Sequence, residues 1–229
     1  MPHFSTFLPL NALPDRYIGT LRRLSGQTVY QPCHDAKQAI FVHVPKVAGT
    51  SISLAIFGQE TGHFSAQMYK YTDPAKFHSY FKFGFVRDPA DRFSSAYNYL
   101  KNGGSNKTDN HFAKTYIDRH EDMASFLELL HKEKTDFGFS KVLNWGHFLP
   151  QFEFLCDRNE IQVDYVGKFE NLKSDFEFVS QKVSGEQATL PHLNASRAHR
   201  LDQIGEVERK LIWQIYQEDY ELFGYDAPQ

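Results

Sequence analysis

The sequence predicts an α/β fold with a central, mainly parallel sheet flanked by helices, on three observations. Two short apolar runs, Ala39-Ile40-Phe41-Val42-His43-Val44 and Lys82-Phe83-Gly84-Phe85-Val86, each end in a tight loop that opens into a helical stretch. Such near-continuous runs are what a parallel sheet buries on both faces. The alternation then resumes, with a strand pattern over 161–166 and a helical pattern over 171–183. Residues 40–44 and 83–86 are the expected core strands, with any ligand at their C-terminal ends, where open sheets bind them.

The elements follow in order. Pro45 stops the first strand, and Thr50 or Ser51 can cap a helix over 52–57. Arg87-Asp88-Pro89 ends the second, and Pro89 suits the first turn of a helix over 90–100. The stretch 101–110 is a solvated loop by its Asn, Gly, Ser and Lys content, and 123–131 reads as helix. Val207, Leu211, Ile215, Leu222 and Phe223 fall close to helical spacing, the pattern of a docked C-terminal helix.

Composition bounds the function. The 229 residues are 41% hydrophobic and 15% aromatic, enough for one well-buried core, so a single domain over 1–229 is expected, with 1–38 an N-terminal extension whose role the sequence does not assign. Lys+Arg 25 against Asp+Glu 28 leaves a net charge of -3, which argues against broad binding to nucleic acid or an anionic membrane; an anion must be bound locally. Cys33 and Cys156 have neither zinc-ligand spacing nor a disulfide-framework count and read as free thiols. No run approaches the roughly 18 to 20 apolar residues of a membrane span, and residues 1–13 carry no basic stretch ahead of their short apolar one. A cytoplasmic protein with no transmembrane segment is the expectation.

The chemistry lies in the loops. Pro45-Lys46-Val47-Ala48-Gly49-Thr50-Ser51 joins a buried strand to a helix N-terminus, where unpaired N–H groups and the helix dipole favour an anion. Gly49 is expected to let the backbone approach a phosphate, Thr50 and Ser51 to add hydroxyls, and Lys46 to add a point charge. Lys46 precedes Gly49 by three residues, whereas the nucleotide-triphosphatase loop sets its lysine directly after the glycine. On this loop alone, a plain strand-to-helix turn is as good a reading. Arg87 at the end of the second strand, with Ser95 eight residues on and Arg92 and Tyr97 nearby, shifts the balance toward a second phosphate site. The bland alternative there is an Arg87–Asp88 ion pair closing the turn.

Together these stretches resemble the sulfotransferases that use 3′-phosphoadenylyl sulfate, in particular the Golgi-type carbohydrate sulfotransferases and their bacterial relatives. The run from Phe41 to Ser51 is similar to the family's 5′-phosphosulfate loop, and that from Phe85 to Tyr97 to its 3′-phosphate motif, with Arg87 and Ser95 at the family's spacing. His147-Phe148-Leu149-Pro150-Gln151 through Cys156, then Val163 to Leu172, is similar to the subgroup acting on the human-natural-killer epitope and chondroitin, and Asp219 to Tyr225 also has the family look. One departure is Asp157-Arg158, where the Golgi subgroup usually has a second cysteine.

The resemblance implies a P-loop-like three-layer fold and an enzyme that moves a sulfuryl group from 3′-phosphoadenylyl sulfate to a hydroxyl of a carbohydrate or glycoconjugate acceptor, releasing 3′,5′-bisphosphate with no metal. Pro45 to Ser51, Arg87 and Ser95 would hold the donor, and Lys46 would steady the bridging oxygen. The acceptor needs a base; an ordinary imidazole titrates near 6.5 and is mostly neutral at pH 7. His63, in the segment between the two cofactor loops, is the first choice, ahead of His78, His147 and a carboxylate such as Glu60. Phe169 or the stretch Leu193 to Arg197 could face an adenine, although Phe169 also reads as core. The rival readings are a P-loop-type kinase acting on a nucleoside phosphate and a catalytically silent glycan- or nucleotide-binding module.

Overall fold

The computed structural model describes residues 14–137, 140–186, 188, 190 and 204–228. In chain order the elements are α1 (Asp15–Leu24), α2 (Pro32–Lys37), β1 (Ala39–Val42), α3 (Gly49–Phe57), α4 (Ala66–Thr72), α5 (Pro74–Ser79), β2 (Phe81–Val86), α6 (Pro89–Lys101), α7 (Lys107–Phe112) and α8 (Met123–Phe137). There follow α9 (Gln151–Leu155), β3 (Cys156–Asp157), β4 (Glu160–Ile161), β5 (Tyr165–Lys168), α10 (Leu172–Ser184), α11 (Glu206–Ile215) and α12 (Gln217–Phe223). The chain divides into two units, Met1–Val86 with Gln151–Leu193 and Arg87–Pro150 with Asn194–Gln229.

The first unit carries a parallel sheet in the order β1-β2-β5, flanked by helices, as the apolar runs predict. All four residues of β1 are buried, and Phe41 stacks on Phe83 of β2 at 5.1 Å between ring centroids. Sheet pairing of β1 ends at Val42, two residues short of the expected strand end, because Pro45 has no N–H and keeps the chain before it from regular pairing. The expected strand over 161–166 is also divided. Cys156–Asp157 and Glu160–Ile161 form a hairpin whose two turn residues, Arg158 and Asn159, both have positive φ, the pattern of a type I′ turn. Only from Tyr165 does the chain join the parallel sheet. Asp157, at the departure from the Golgi pattern, pairs with Lys70 at 3.1 Å.

Helices α1 and α2 show that the segment ahead of β1 is structured from Asp15 onward. Gly19 lets α1 lie close against α4, since a Cβ there would come within 2.9 Å of Tyr71 Cβ. The Ser65 hydroxyl, which caps α4 by accepting from Met68 N at 3.1 Å, donates to the Asp15 carboxyl. In α2 the fully buried His34 accepts the Gln31 N–H on Nδ1 at 2.9 Å, so its proton lies on Nε2, 3.4 Å from the Tyr69 hydroxyl.

The second unit is helical. Phe93, Phe126, Phe148 and Tyr216 meet in its core, with α11 against both α6 and α8. The C-terminal apolar pattern forms two helices, broken at Tyr216 (φ -116, ψ 30). The buried stripe there runs through Ile212, Ile215, Tyr220 and Phe223, while Val207 is 62% exposed, so the apolar spacing overextended the docked face by its first residue.

Burial holds the His34 imidazole neutral, with its pKa pushed down to about 4. An unfolded histidine protonates near 6.5, so between those values the unfolded chain binds the extra proton and stability falls as pH drops. We expect denaturant midpoints to decline between pH 6.5 and 4, by up to about 3 kcal/mol from this group. His34→Gln should be less stable at pH 7 but show a shallower decline; an unchanged slope would remove His34 as the source.

Candidate active site

The loop after β1 is built from a fixed floor and a strained rim. Val44 and Val47 are fully buried and anchor it from below, while Lys46 and Ala48 are half-exposed. Both rim residues are left-handed, Lys46 at φ 73 and Ala48 at φ 63. For a residue with a Cβ this costs roughly 1–2 kcal/mol, and such strain clusters where a backbone is held for a purpose. Left-handed residues alternating with one of negative φ turn successive N–H groups into a concavity suited to an anion. Ala48 is also the N-cap of α3 and provides no side-chain cap, so the helix opens with backbone N–H groups toward that concavity and no acid in its first turn. Thr50 is half-exposed in that turn and Ser51 is buried.

Gly49 also has a packing role that its residue type did not announce. Its φ is not positive, and the space its missing Cβ leaves is filled by His43: a Cβ would lie 1.9 Å from Nε2 and 2.0 Å from Cδ2 of that ring. His43 is only 5% exposed and stacks on Phe41 at 5.2 Å. Burial, and then the neighbouring His63, hold its pKa well below the ordinary range. The sequence reading missed His43; the one signal available was a titratable residue set in an otherwise apolar strand, two positions before Pro45.

His63 lies in the connection from α3 to α4, and that connection is pinned at both ends. Gly58 closes α3 in the left-handed conformation at φ 71. The Ser53 hydroxyl then donates to Gln59 O at 2.8 Å and accepts from Thr61 N at 3.0 Å, and Ser65 caps α4 beyond. Between these anchors, Nδ1 of His63 is 2.9 Å from the carbonyl of His43, and the two imidazoles lie 3.9 Å apart between centroids. The structure thus brings His63 to the root of the loop that carries Lys46. His78 is exposed on α5 and Glu60 is exposed as well.

β1 and β2 are parallel neighbours, so the chain leaves both at the same end of the sheet, and Arg87 follows directly on Val86. In the second unit, Asp88 caps α6 by accepting from Asp91 N at 3.0 Å, with Pro89 in the first turn as expected. Arg87 and Ser95 are half-buried. Arg92 is only 2% exposed; its guanidinium donates to the carbonyls of His147 (3.3 Å) and Leu149 (2.8 Å) and is favoured by the buried Asp219 carboxylate, so it serves the fold of this unit. His147 Nε2 lies 3.6 Å from Asp109, whose other oxygen accepts from Tyr99 at 2.7 Å. That buried carboxylate ties down α7, the end of the stretch expected as a solvated loop. Phe169 is half-buried in a short turn after β5, not core, and Leu193 to Arg197 lie outside the described residues. Among the described residues, no group of three or more His, Cys, Asp or Glu is placed to hold a metal ion, and no helix is long and apolar enough to cross a membrane.

The chain is 26% identical over 235 residues to carbohydrate sulfotransferase 11 of mouse and equally to that of rat, an alignment that takes in 83% of this chain and 65% of each relative. It therefore spans about two thirds of their length, and slightly less. No solved structure matches it. The profile of the sulfotransferase family matches residues 33–226, from α2 through α12, and on that match the chain belongs to the sulfotransferase family.

Proposed function

We propose that the protein transfers a sulfuryl group from 3′-phosphoadenylyl sulfate to a hydroxyl of a carbohydrate or glycoconjugate. The observation that carries this reading is the pairing, at one loop root, of an anion concavity bearing Lys46 with an imidazole whose Nδ1 is engaged by the carbonyl of His43. Family membership supplies the reaction class, and the identity of the mouse and rat relatives as carbohydrate sulfotransferases points to a carbohydrate acceptor.

The donor, when bound, supplies an activated sulfuryl group on a phosphate leaving group. In the proposed assignment, Pro45 to Ser51 hold the 5′ end by backbone N–H groups and hydroxyls, and Arg87 and Ser95 hold the 3′-phosphate. Lys46 places its charge where negative charge develops on the departing oxygen, the place where stabilisation accelerates a reaction. A carbonyl can only accept a hydrogen bond, so His63 carries its proton on Nδ1 and its lone pair on Nε2. Nε2 is then the atom that takes the acceptor's hydroxyl proton.

The direct test is transfer of labelled sulfate from 3′-phosphoadenylyl sulfate to a panel of glycans, alongside calorimetry with 3′,5′-bisphosphate and with ATP plus magnesium. Preference for ATP would favour a kinase instead. Lys46→Ala should reduce turnover far more than affinity for 3′,5′-bisphosphate, whereas Arg87→Ala should chiefly weaken that affinity, since the 3′-phosphate does not change during transfer. Equal losses in both variants would refute this division. His63→Ala should lower the acceptor reaction by on the order of a hundredfold or more with bisphosphate affinity near wild type. Protonation removes the Nε2 lone pair, so the wild-type rate should fall on the acid side and that limb should be absent from the variant. Retention of both the rate and the limb would move the base to His147, His78 or a carboxylate.

A further inference from the structure

His43 is a buried imidazole that the proposed chemistry does not use, placed between two residues that it does. One side of its ring occupies the space that a Cβ on Gly49 would need, at 1.9 Å from Nε2. Another side meets the His63 ring at a centroid distance of 3.9 Å and an interplanar angle of 38°. Its own carbonyl accepts from His63 Nδ1 at 2.9 Å. Its Nδ1 is buried and has no hydrogen-bond partner among the described residues. A buried polar atom left in that state is destabilising, and an apolar residue of similar size would avoid the cost. The ring is therefore a poor choice for filling space alone, and its placement against His63 needs a reason of its own.

We propose that His43 is a positioning residue for the base: its ring, wedged between Gly49 and His63, holds the His63 imidazole at the angle where Nδ1 donates to the His43 carbonyl and Nε2 is the basic nitrogen. This rests on the assignment of His63 as base. It also gives Gly49 a purpose beside phosphate approach, because any side chain at 49 would drive the wedge out of its seat. The first residue of α3 and the base are in this way mechanically joined through one ring. Burial keeps that ring uncharged, so it can lie against His63 without opposing the positive charge His63 acquires on taking a proton.

The test separates geometry from catalysis. Long-range 1H–15N correlation spectra of histidine-labelled protein report which ring nitrogen carries the proton, with the His63 signals assigned by their loss in His63→Ala. Wild type should show His63 protonated on Nδ1. In His43→Ala that population should give way to a mixture including the Nε2–H form, with kcat down on the order of tenfold and the Kd for 3′,5′-bisphosphate within about twofold of wild type. Gly49→Ala approaches the wedge from its other side and should disturb the same His63 signals. With His43→Ala already present, the added Gly49→Ala should leave them as they are, because the void accepts the new methyl; two variants sharing one contact are non-additive in this way. An unchanged His63 tautomer in both His43→Ala and Gly49→Ala would overturn the positioning role. A tautomer that shifts as expected while His63→Ala retains full activity would instead uphold the wedge and remove the base assignment, so the two failures are distinguishable.

Discussion

The hydrogen bond from His63 Nδ1 to the His43 carbonyl is the contact on which the arrangement of the site depends. It spans 20 residues of chain and joins the root of the loop after β1 to the connection between α3 and α4. Packing and helix capping together hold it in place. β1 is buried on both faces, which fixes where His43 begins; α1 lies against α4 through Gly19, and Ser65 caps α4 while bonded to Asp15, which fixes where the connection ends. A bond of this kind contributes only about 0.5–1.5 kcal/mol net, so it could not impose the geometry alone. The surrounding core imposes it, and the bond selects the tautomer.

The same core bears the strain in the loop. Two left-handed residues with side chains, Lys46 and Ala48, together store roughly 2–4 kcal/mol if each costs what such residues usually cost. Glycine at either position would relieve it. Retaining a lysine there places a charged side chain on the rim itself, and Val44 and Val47 beneath provide the burial that keeps the loop from relaxing. Each fully buried aliphatic side chain contributes about 1.5–3 kcal/mol, so the two valines suffice to offset the strain.

Much of this was legible in the sequence, and what was not has a physical reason. The apolar runs at 39–44 and 82–86 gave the parallel strands because a strand buried on both faces has few ways to be written. The strand-to-helix junction that carries Lys46, Thr50 and Ser51 was legible from the apolar run that stops at Pro45 and the helical stretch that follows. What could not be read was which residue took the left-handed conformation: Gly49 was the natural candidate by steric cost, yet tertiary packing placed Lys46 and Ala48 there and used the small size of Gly49 for His43. Arg92 was likewise ambiguous, since an arginine on a helix after a phosphate-type motif looks the same on paper whether it faces a ligand or, as found, carbonyls and a carboxylate of its own unit. The division of 161–166 into a hairpin and a sheet strand turned on Arg158 and Asn159 adopting positive φ without a glycine to announce it.

The partner of the proposed base fits the charge of the ligand proposed for the loop. In many sites that use a histidine base, the distal ring nitrogen donates to a carboxylate, which stabilises the imidazolium and raises basicity. Here the acceptor is a peptide carbonyl, and the ring alongside is a histidine kept neutral by burial. Both carry dipoles but no net charge. A carboxylate at the His43 position would lie at the root of an anion concavity, where it would oppose a phosphate or sulfate group through a low-dielectric interior, an interaction several times stronger than in water. A neutral carbonyl fixes the tautomer nearly as well and leaves the field of Lys46 and the α3 N-terminus unopposed from that position. In the proposed reaction the acceptor's proton would leave as a strongly activated group arrives, so little charge need build on the hydroxyl first and a carbonyl-oriented imidazole would suffice.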